Sequence, residues 1–508
     1  MKRLIVLMFV VLVAARAIMA SQFDLFSDEA FYWLCAQRPA LAYADHPFMT
    51  AMLVRVGTAL VGDTVLGVRL LFVLCGAALP FAVFALARPL VGSRDAWLAA
   101  GASMLLPLVT MGTVVATPDG ILMLLAVCTL IAFERATRTG STLAWCTAGL
   151  LSGLGLATHY RFTPVVLAAL AWLVCTSRGR SLWRTPGPWI GAALTAAGLL
   201  PGLLFNLGLD FAPLRYQLMD RHTRPLGVLG WPVHLGEQAL VTTPVLYVAL
   251  LGALVVTVKA ARRGDDRRAL LAWFALIPMA TYFLTSPLTD VKRTDVHWPL
   301  LGYLVLLPLL PAVLRGWAAR GRVGWFVSRT GPALAFLVVA FIVVDALALP
   351  GGELPSAGFT GWTELGRATD EQLERWDESE DLTPPLVVAD NYVTASQLQF
   401  HLRDRAEVYT MDHLVNDMHG RGLQFTLWRR GEAALREDRA GDDALLVVEI
   451  SRTDSEQEEK RLRKLGRRFE DMRPIGEIAV DLGDEEQRRF LFFEAWSVKP
   501  VPPWSRTR

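Results

Sequence analysis

Charged residues are scarce in this sequence: they make up 19% of its 508 residues, whereas 53% are hydrophobic. This composition excludes an ordinary soluble protein of that length and a disordered chain. Cysteine is also rare, with five in total and none after Cys175, so disulfide bonds contribute nothing to the rest of the chain. Neither an internal repeat nor a low-complexity tract is present, and no cysteine–histidine spacing predicts a structural zinc site.

Apolar stretches occupy most of the first 350 residues, and their interiors carry no carboxylate apart from Asp345. A helix needs about 20 such residues to cross a bilayer, and the shorter stretches require local thinning of it. The stretches are residues 4–20, 66–87, 95–115, 120–133, 142–157, 162–177, 188–207, 239–258, 269–285, 298–314 and 332–349. We therefore expect a polytopic α-helical membrane protein with about 11 transmembrane helices.

Arginine and lysine concentrate in every second loop, beginning with Lys2 and Arg3 and including the group from Lys259 to Arg268. Cytoplasmic loops of membrane proteins carry this excess of positive charge. The pattern predicts a cytoplasmic N-terminus. A cleavable signal peptide is disfavoured, because Ile18 stands where a small residue is required. The segments expected outside are residues 21–65, 116–119, 158–161, 209–237, 286–297 and everything after 350.

The composition changes at Pro350-Gly351-Gly352 to a charged, soluble pattern. Short β-like runs at residues 386–389, 445–450 and 490–495 alternate there with the helical patterns 394–402 and 456–465. Alternating strands and helices indicate a small α/β domain. The sequence thus predicts a membrane domain over residues 1–350 and a soluble α/β domain over residues 351–508.

Charged and histidine residues of the membrane part gather at the predicted exterior ends of the spans. Membrane proteins place catalytic and transport residues at such boundaries. The first exterior loop, 21–65, contributes Asp28, Glu29, Asp45, His46 and Arg55, and the later ends contribute Asp119, His159, Tyr160, Arg161, Asp210, Arg215, Asp220, Arg221, His222, Arg224, Asp290, Lys292, Arg293, Asp295, His297 and Trp298.

Several of these residues also have an ordinary structural interpretation. Asp119 follows a proline and would stabilise the start of a helix by about 0.3–1 kcal/mol. His159 and His297 suit the water–lipid boundary. Tyr32, Trp33 and Tyr160 are expected to anchor the chain at the same boundary, and the alternative is that their rings stack against a sugar. Asp28 and Glu29 are harder to explain in this way, because they lie a few residues beyond a span and precede a bulky aromatic run.

Five motifs together resemble the polytopic GT-C glycosyltransferases. Residues 28–33 (DEAFYW) and 43–48 (YADHPF) look like the first exterior loop of the bacterial enzymes related to protein O-mannosyltransferases and to the lipid A aminoarabinose transferase. Residues 117–119 (TPD) resemble the second acidic site of that family, and 153–160 (GLGLATHY) resemble its glycine-rich span. Residues 297–300 (HWPL) are similar to a late His-Trp-Pro run, and a soluble C-terminal domain is also typical.

Two departures from the family pattern concern recognition of the donor. Phe48 stands where a second proline is common, and the turn after span five reads His159-Tyr160-Arg161 where lysine-tyrosine is common. The reaction type is unaffected by these differences. The two departures leave open which sugar the donor carries and which cation holds its phosphate.

The resemblance implies an inverting transferase that moves a sugar from a polyprenyl-phosphate donor to a glycolipid, polysaccharide or protein. It gives Asp28 the role of base for the acceptor hydroxyl. Glu29 would support Asp28, and Asp119 would either position the acceptor or hold a divalent ion with Asp28. The candidates for binding the donor phosphate and sugar are His46, His159, Tyr160, Arg161, Lys292, Arg293 and His297.

The expected partners are the lipid-linked donor, the bilayer and the acceptor, with no nucleic acid, in a bacterial inner membrane that leaves the C-terminal domain in the periplasm. Metal dependence varies in this superfamily, so Mg²⁺ or Mn²⁺ at Asp28 and Asp119 remains open, and no other cofactor is implied. No predicted cytoplasmic loop is long enough to fold into the catalytic domain that a nucleotide-sugar donor would require.

In the C-terminal domain, arginine and glutamate runs are expected to be solvated. We expect structural roles for Asn391, Tyr392, His413, His419 and Trp428.

Two other functions remain possible at this point. A lipid or sugar transporter would carry ionisable residues at mid-membrane depth, for which Arg16 and Arg69 are the best candidates. A non-catalytic envelope scaffold would bind a partner through its C-terminal domain. It should tolerate Asp28→Asn, whereas an inverting transferase should not.

Overall fold

The computed structural model describes residues 1–218, 227, 229–288, 296–347, 357–377, 385–450, 455–482 and 487–501. They belong to two compact units. The first comprises Met1–Ser21, His46–Asp210 and His222–Leu347, and the second comprises Gln22–Asp45, Phe211–Arg221 and Ala348–Arg508. Residues 22–45, which carry Asp28, therefore fold with the C-terminal segment of the chain.

Helices make up the first unit, and the second combines helices with a sheet. In chain order the helices are α1 Lys2–Gln22, α2 Ser27–Gln37, α3 Met49–Val61, α4 Val65–Met104, α5 Pro107–Gly112, α6 Pro118–Thr139, α7 Thr142–Thr158, α8 Thr163–Cys175, α9 Ser177–Leu182, α10 Pro186–Ala197, α11 Leu200–Leu207, α12 Ala212–Leu218, α13 Gly230–Thr242, α14 Pro244–Arg262, α15 Asp266–Thr285, α16 Leu300–Leu306, α17 Leu310–Ala318, α18 Arg322–Leu347, α19 Trp362–Asp377, α20 Tyr392–Leu402, α21 Leu414–His419, α22 Arg421–Leu427, α23 Glu432–Asp438 and α24 Ser455–Gly466. The strands are β1 Leu386–Ala389, β2 Val408–Thr410, β3 Ala444–Glu449, β4 Phe469–Asp481 and β5 Gln487–Val498.

The polytopic helical architecture predicted from the sequence is confirmed. Among the described residues, seven helical segments are long and apolar enough to span a membrane, or eight if the bent pair α10–α11 counts as one span. The helices α7 and α8 coincide with predicted spans but are shorter than this requirement. The number of 11 spans therefore stays a prediction.

Glycine and proline explain where the long apolar segments bend. Gly92, with φ of 78°, interrupts α4, so this 40-residue segment contains the predicted stretch 66–87 and the first half of the stretch 95–115. Pro89 precedes this point and lacks the amide hydrogen that would continue the helix. The helices α10 and α11 meet at 43°, so they form a broken apolar segment.

The glycine-rich segment 153–160 owes part of its composition to helix packing. A Cβ atom at Gly153 would lie 2.7 Å from the carbonyl oxygen of Leu194, and one at Gly149 would lie 2.6 Å from that of Gly191. Small residues let membrane helices approach closely, which is what happens between α7 and α10. The glycines of α7 therefore serve the fold.

In the described part of the membrane unit, the two buried arginines are bound to neighbouring helices. Arg16 donates from Nη2 to Thr110 Oγ1 at 3.2 Å, and Arg69 donates from Nη1 to the carbonyl oxygen of Ala20 at 3.3 Å. Such contacts satisfy cations inside an apolar bundle. The features that best supported a transporter therefore have structural partners.

The second unit contains a five-stranded sheet in the order β2-β1-β3-β5-β4. The strand β1 pairs in parallel with β2 and β3, and β5 pairs antiparallel with β3 and β4. The three predicted strands are confirmed as β1, β3 and β5. The strand β2 was missed because it has only three residues, and β4 because it is an edge strand with one buried residue and with charged residues scattered along it.

The helix α2 is buried within the second unit. Its residues Glu29–Ala36 are all buried, Trp33 packs edge-on against Phe400 at a ring distance of 5.2 Å, and Phe31 lies 6.1 Å from Tyr392. The prediction that Trp33 and its neighbour Tyr32 anchor the chain at the lipid surface is wrong, because both rings are buried in protein.

Candidate active site

The first functional cluster is built on the amino-terminal turn of α2. Asp28 and Glu29 lie in this turn, where a carboxylate interacts favourably with the helix dipole. Glu29 is buried, and its Oε2 accepts a hydrogen bond from the amide of Phe26 at 2.8 Å. Glu29 therefore caps the helix, and a catalytic role for it stays a prediction.

Arg421, a residue that the sequence reasoning missed, connects the carboxylates of Asp28 and Asp45. Its Nη1 donates to Asp28 Oδ1 at 2.6 Å and to the hydroxyl of Tyr392 at 2.9 Å. Its Nε donates to Asp45 Oδ2 at 3.2 Å. The arginine side chain is only 4% exposed, whereas that of Asp28 is 30% exposed and stays accessible to a substrate.

Aromatic rings and carboxylates surround the guanidinium of Arg421 and keep it positively charged. The guanidinium carbon lies 4.5 Å from the ring centre of Phe31 and 4.9 Å from that of Tyr392. Burial alone would lower the pKa of Arg421, but Asp28, Tyr392 and Asp45 outweigh it and raise this pKa further. Burial also raises the pKa of Tyr392, which therefore remains a neutral hydroxyl.

Local backbone geometry sets Arg421 in place. Gly420, with φ of 70°, ends α21 in the left-handed region and leads into α22. A Cβ atom there would lie 2.6 Å from the ring of Tyr216, so only glycine fits. Asn416 accepts from the amide of Tyr392 at 2.8 Å and donates to the carbonyl of Met411 at 2.9 Å. These contacts hold the backbone of Tyr392 against α21, the helix that precedes Arg421.

The second functional cluster belongs to the membrane unit and centres on Asp119. Arg161 donates from Nη1 to Asp119 Oδ1 at 2.7 Å, and His297 Nε2 lies 3.4 Å from the same oxygen. Three of the predicted site residues, from the start of α6, the turn after α7 and the turn before α16, are thereby brought together. A small cleft opens among them, lined by Asp119, Leu122, Met123, Arg161, Tyr282, His297, Trp298, Leu300 and Leu301.

The neighbours of Arg161 hold its backbone and its side chain. The amide of Arg161 donates to His159 Nδ1 at 3.1 Å, and the hydroxyl of Tyr282 donates to the carbonyl of Arg161 at 3.2 Å. The guanidinium carbon lies 5.4 Å from the ring centre of Trp298, within the range of a cation–π contact. His159 therefore acts on the cluster through the backbone of Arg161.

His297 is positioned by a buried hydrogen-bond chain. Gln238 is fully buried, donates to the carbonyl of Val296 at 2.9 Å, and accepts from the hydroxyl of Tyr303 at 2.9 Å. Burial lowers the pKa of His297, an effect that Asp119 opposes and Arg161 reinforces. The imidazole is therefore mostly neutral near pH 7 and can donate or accept one hydrogen bond.

The remaining predicted ligands differ in what the structure shows of them. His46 is buried in the membrane unit, and Tyr160 lies beside His159 with its hydroxyl 3.4 Å from where a Cβ atom of Gly202 would be. Lys292 and Arg293 lie outside the described residues.

Metal-ligating side chains are not clustered in the described parts of the chain. No group of three or more histidine, cysteine, aspartate or glutamate residues placed to hold a metal ion occurs there. The predicted pairing of Asp28 with Asp119 about a divalent ion stays a prediction.

The structure defines a polytopic helical membrane protein that carries an arginine–aspartate–histidine cluster at its helix ends and is accompanied by an α/β unit. Residues 45–205 match the family described as dolichyl-phosphate-mannose-protein mannosyltransferase. The chain is 27% identical over 388 residues to the lipid A galacturonosyltransferase RgtD of Rhizobium johnstonii, which covers 75% of this chain and 78% of that protein.

Solved structures give the same fold. ArnT from Cupriavidus metallidurans, in its apo state and bound to undecaprenyl phosphate, superimposes with a TM-score of 0.61 at 16% identity over 96% of this chain and 97% of that one. The family match, the curated relative and the shared fold together support a glycosyltransferase of the GT-C superfamily related to the ArnT-like group. The transporter and scaffold interpretations are not favoured.

Proposed function

We propose that this enzyme transfers a sugar from a polyprenyl-phosphate donor to a hydroxyl group of an envelope acceptor. The observation that carries the proposal is the cluster of Arg161, His297 and Asp119 at the ends of membrane helices. A lipid-linked phosphate reaches a protein at such a boundary, and a cation there stabilises the charge of the departing phosphate. The solved relative bound to undecaprenyl phosphate supports this class of donor.

The acceptor hydroxyl requires a base, and Asp28 suits that role best. Its Oδ1 is held by Arg421, whereas its Oδ2 makes no hydrogen bond to the described part of the chain. One oxygen is thus fixed and the other is available to take the acceptor proton as the sugar is transferred with inversion. General bases of this kind accelerate reactions by about 10²–10⁴-fold.

The acceptor and the membrane orientation follow from different observations. Similarity to a lipid A galacturonosyltransferase favours a lipid A-type glycolipid acceptor and a uronic acid as the sugar. The distribution of arginine and lysine favours a cytoplasmic N-terminus and a second unit outside the inner membrane.

Asp119 would keep Arg161 ordered in the donor-free enzyme and release it to the incoming phosphate.

A donor panel tests this function directly. Purified enzyme in detergent would be incubated with polyprenyl phosphates carrying galacturonic acid, aminoarabinose or mannose, and lipid A, a polysaccharide or a protein would be supplied as the acceptor in separate reactions. Mass spectrometry would follow free polyprenyl phosphate and glycosylated lipid. We expect turnover of the galacturonic acid donor. Absence of turnover of every donor, with the protein folded and each acceptor class supplied, would contradict the proposal.

Donor binding should depend on pH through His297. Burial lowers the pKa of His297 and leaves it neutral in the free enzyme, whereas the anionic phosphodiester of a bound donor raises this pKa and favours protonation. At a pH between the pKa values of His297 in the free and in the donor-bound enzyme, donor binding takes up a proton. The affinity for the donor therefore falls as the pH rises through this range. We expect the donor KM to increase by up to about tenfold per pH unit, starting below the ordinary histidine value of about 6.5.

The matched variant for this measurement is His297→Gln, which keeps a hydrogen-bonding side chain without a titration near neutral pH. Its donor KM should be higher than that of the wild type at low pH and should not vary with pH. A wild-type KM that stays constant over the same range would show that His297 does not meet the phosphate.

A further inference from the structure

One guanidinium already occupies the position between two carboxylates where a divalent cation would bind. Arg421 contacts Asp28 Oδ1 at 2.6 Å through Nη1 and Asp45 Oδ2 at 3.2 Å through Nε. A metal ion that bridged these carboxylates would have to enter the same space and face a full positive charge. Mg²⁺ and Mn²⁺ also bring several water ligands, which need more room.

The arginine is fixed in this position by the surrounding protein. Its guanidinium carbon lies 4.5 Å from the ring centre of Phe31, 4.9 Å from that of Tyr392 and 5.7 Å from that of Tyr32. The Tyr392 hydroxyl accepts a further hydrogen bond from Nη1 at 2.9 Å. A buried cation with these contacts would lose all of them if it moved aside for a metal ion.

We infer that Arg421 takes the place of a divalent cation at the carboxylates of Asp28 and Asp45, so that transfer at Asp28 needs no metal ion there. This inference rests on the proposed role of Asp28 as the base. It makes Arg421, Tyr392 and Asp45 positioning residues, because they orient the carboxylate of Asp28 and do not contact the substrate themselves.

The charge balance favours an arginine over a metal for this chemistry. Two carboxylates and one guanidinium carry a net charge of −1, which becomes zero when Asp28 takes the acceptor proton. A divalent ion in place of the arginine would neutralise both carboxylates before the reaction and weaken Asp28 as a base. The fixed single charge therefore orients Asp28 and leaves it able to accept a proton.

The first experiment compares donor turnover by the wild type after EDTA treatment with turnover in excess Mg²⁺ or Mn²⁺, while elemental analysis gives the metal content of the active protein. We expect equal rates and no stoichiometric metal. Turnover that disappears in EDTA and returns with a divalent ion would overturn this inference and leave the proposed function intact. Failure to consume donor under both conditions would contradict the proposed function itself.

The second experiment measures Mn²⁺ binding by electron paramagnetic resonance and needs no activity. Wild type should bind no Mn²⁺ that depends on Asp28, whereas Arg421→Ala should bind Mn²⁺ and lose it again when Asp45→Asn is added. The same Arg421→Ala protein should lose turnover and recover part of it with methylguanidinium. Mn²⁺ bound by the wild type and lost in Asp28→Asn would refute the inference.

Two further variants separate positioning from folding. Arg421→Lys keeps the charge but lacks the planar set of donors, so it should fold and show a lower kcat with an unchanged donor KM. Arg463→Lys changes an exposed arginine that pairs with Glu459 in the same unit, and it should behave as the wild type. Full kcat in Arg421→Lys would show that positioning by the guanidinium is not required.

Discussion

Replacing Asp28 with asparagine should lower kcat by about three orders of magnitude, within the range of about 10²–10⁴ for loss of a general base. The substitution keeps the shape of the side chain, and its amide oxygen can still accept from Arg421. It removes the group that takes the acceptor proton. The donor KM should stay within about threefold of the wild-type value, because the base does not hold the donor phosphate.

The matched control for Asp28→Asn is Asp404→Asn, an exposed aspartate of the same unit that should leave kcat unchanged. Both variants should unfold near the wild-type temperature, since Arg421 keeps Asp45 and Tyr392 as partners in Asp28→Asn. The measurement is initial-rate kinetics of polyprenyl phosphate release. Equal kcat values for wild type and Asp28→Asn would exclude Asp28 as the base.

Patterns that repeat along the chain were readable from the sequence. The apolar stretches predicted the membrane helices, and short β-like runs predicted the strands β1, β3 and β5. These features depend on local hydrophobic periodicity, which a single sequence displays. The span count was less secure, because proline and glycine interrupt helices: residues 298–314 appear as α16, a 3₁₀ turn with Pro308, and α17.

Contacts between distant residues could be predicted only where they lie at the same helix ends. Asp119, Arg161 and His297 were grouped correctly because the alternation of spans places their turns on one side. Arg421 lies 393 residues from Asp28, and no periodicity connects α22 with α2. The available signal was the glycine on each side of Arg421, which suggests close backbone packing.

The structure also changed the interpretation of individual aromatic residues. Tyr392 was expected to be structural, yet its hydroxyl contacts Arg421 at 2.9 Å. Tyr32 and Trp33 were expected at the lipid surface, where the same residue types are also common. Aromatic side chains have similar patterns in cores, interfaces and membrane boundaries, so only the packing of α2 within its unit decided between these roles.

The removal of Arg161 should weaken donor use more than any other change in the membrane unit. Arg161→Gln takes away the charged donor for the phosphate, and loss of one such donor typically costs about 10²–10³-fold in rate, or about 3–4 kcal/mol. It also leaves the carboxylate of Asp119 without its closest partner, so this group would repel an incoming phosphate. We expect a fall in kcat/KM for the donor with little change for the acceptor.

A second substitution separates these two effects. Adding Asp119→Asn to Arg161→Gln removes the unpaired negative charge, so the double variant should recover part of the lost kcat/KM, by about tenfold at the 1.4 kcal/mol typical of a partly buried charge pair. The control is Arg138→Gln, which breaks a more exposed arginine–carboxylate pair with Glu134 away from the cluster and should leave donor kinetics unchanged. If the double variant were no better than Arg161→Gln, Asp119 would contribute more than a counter-charge, and its predicted role in positioning the acceptor would become the stronger interpretation.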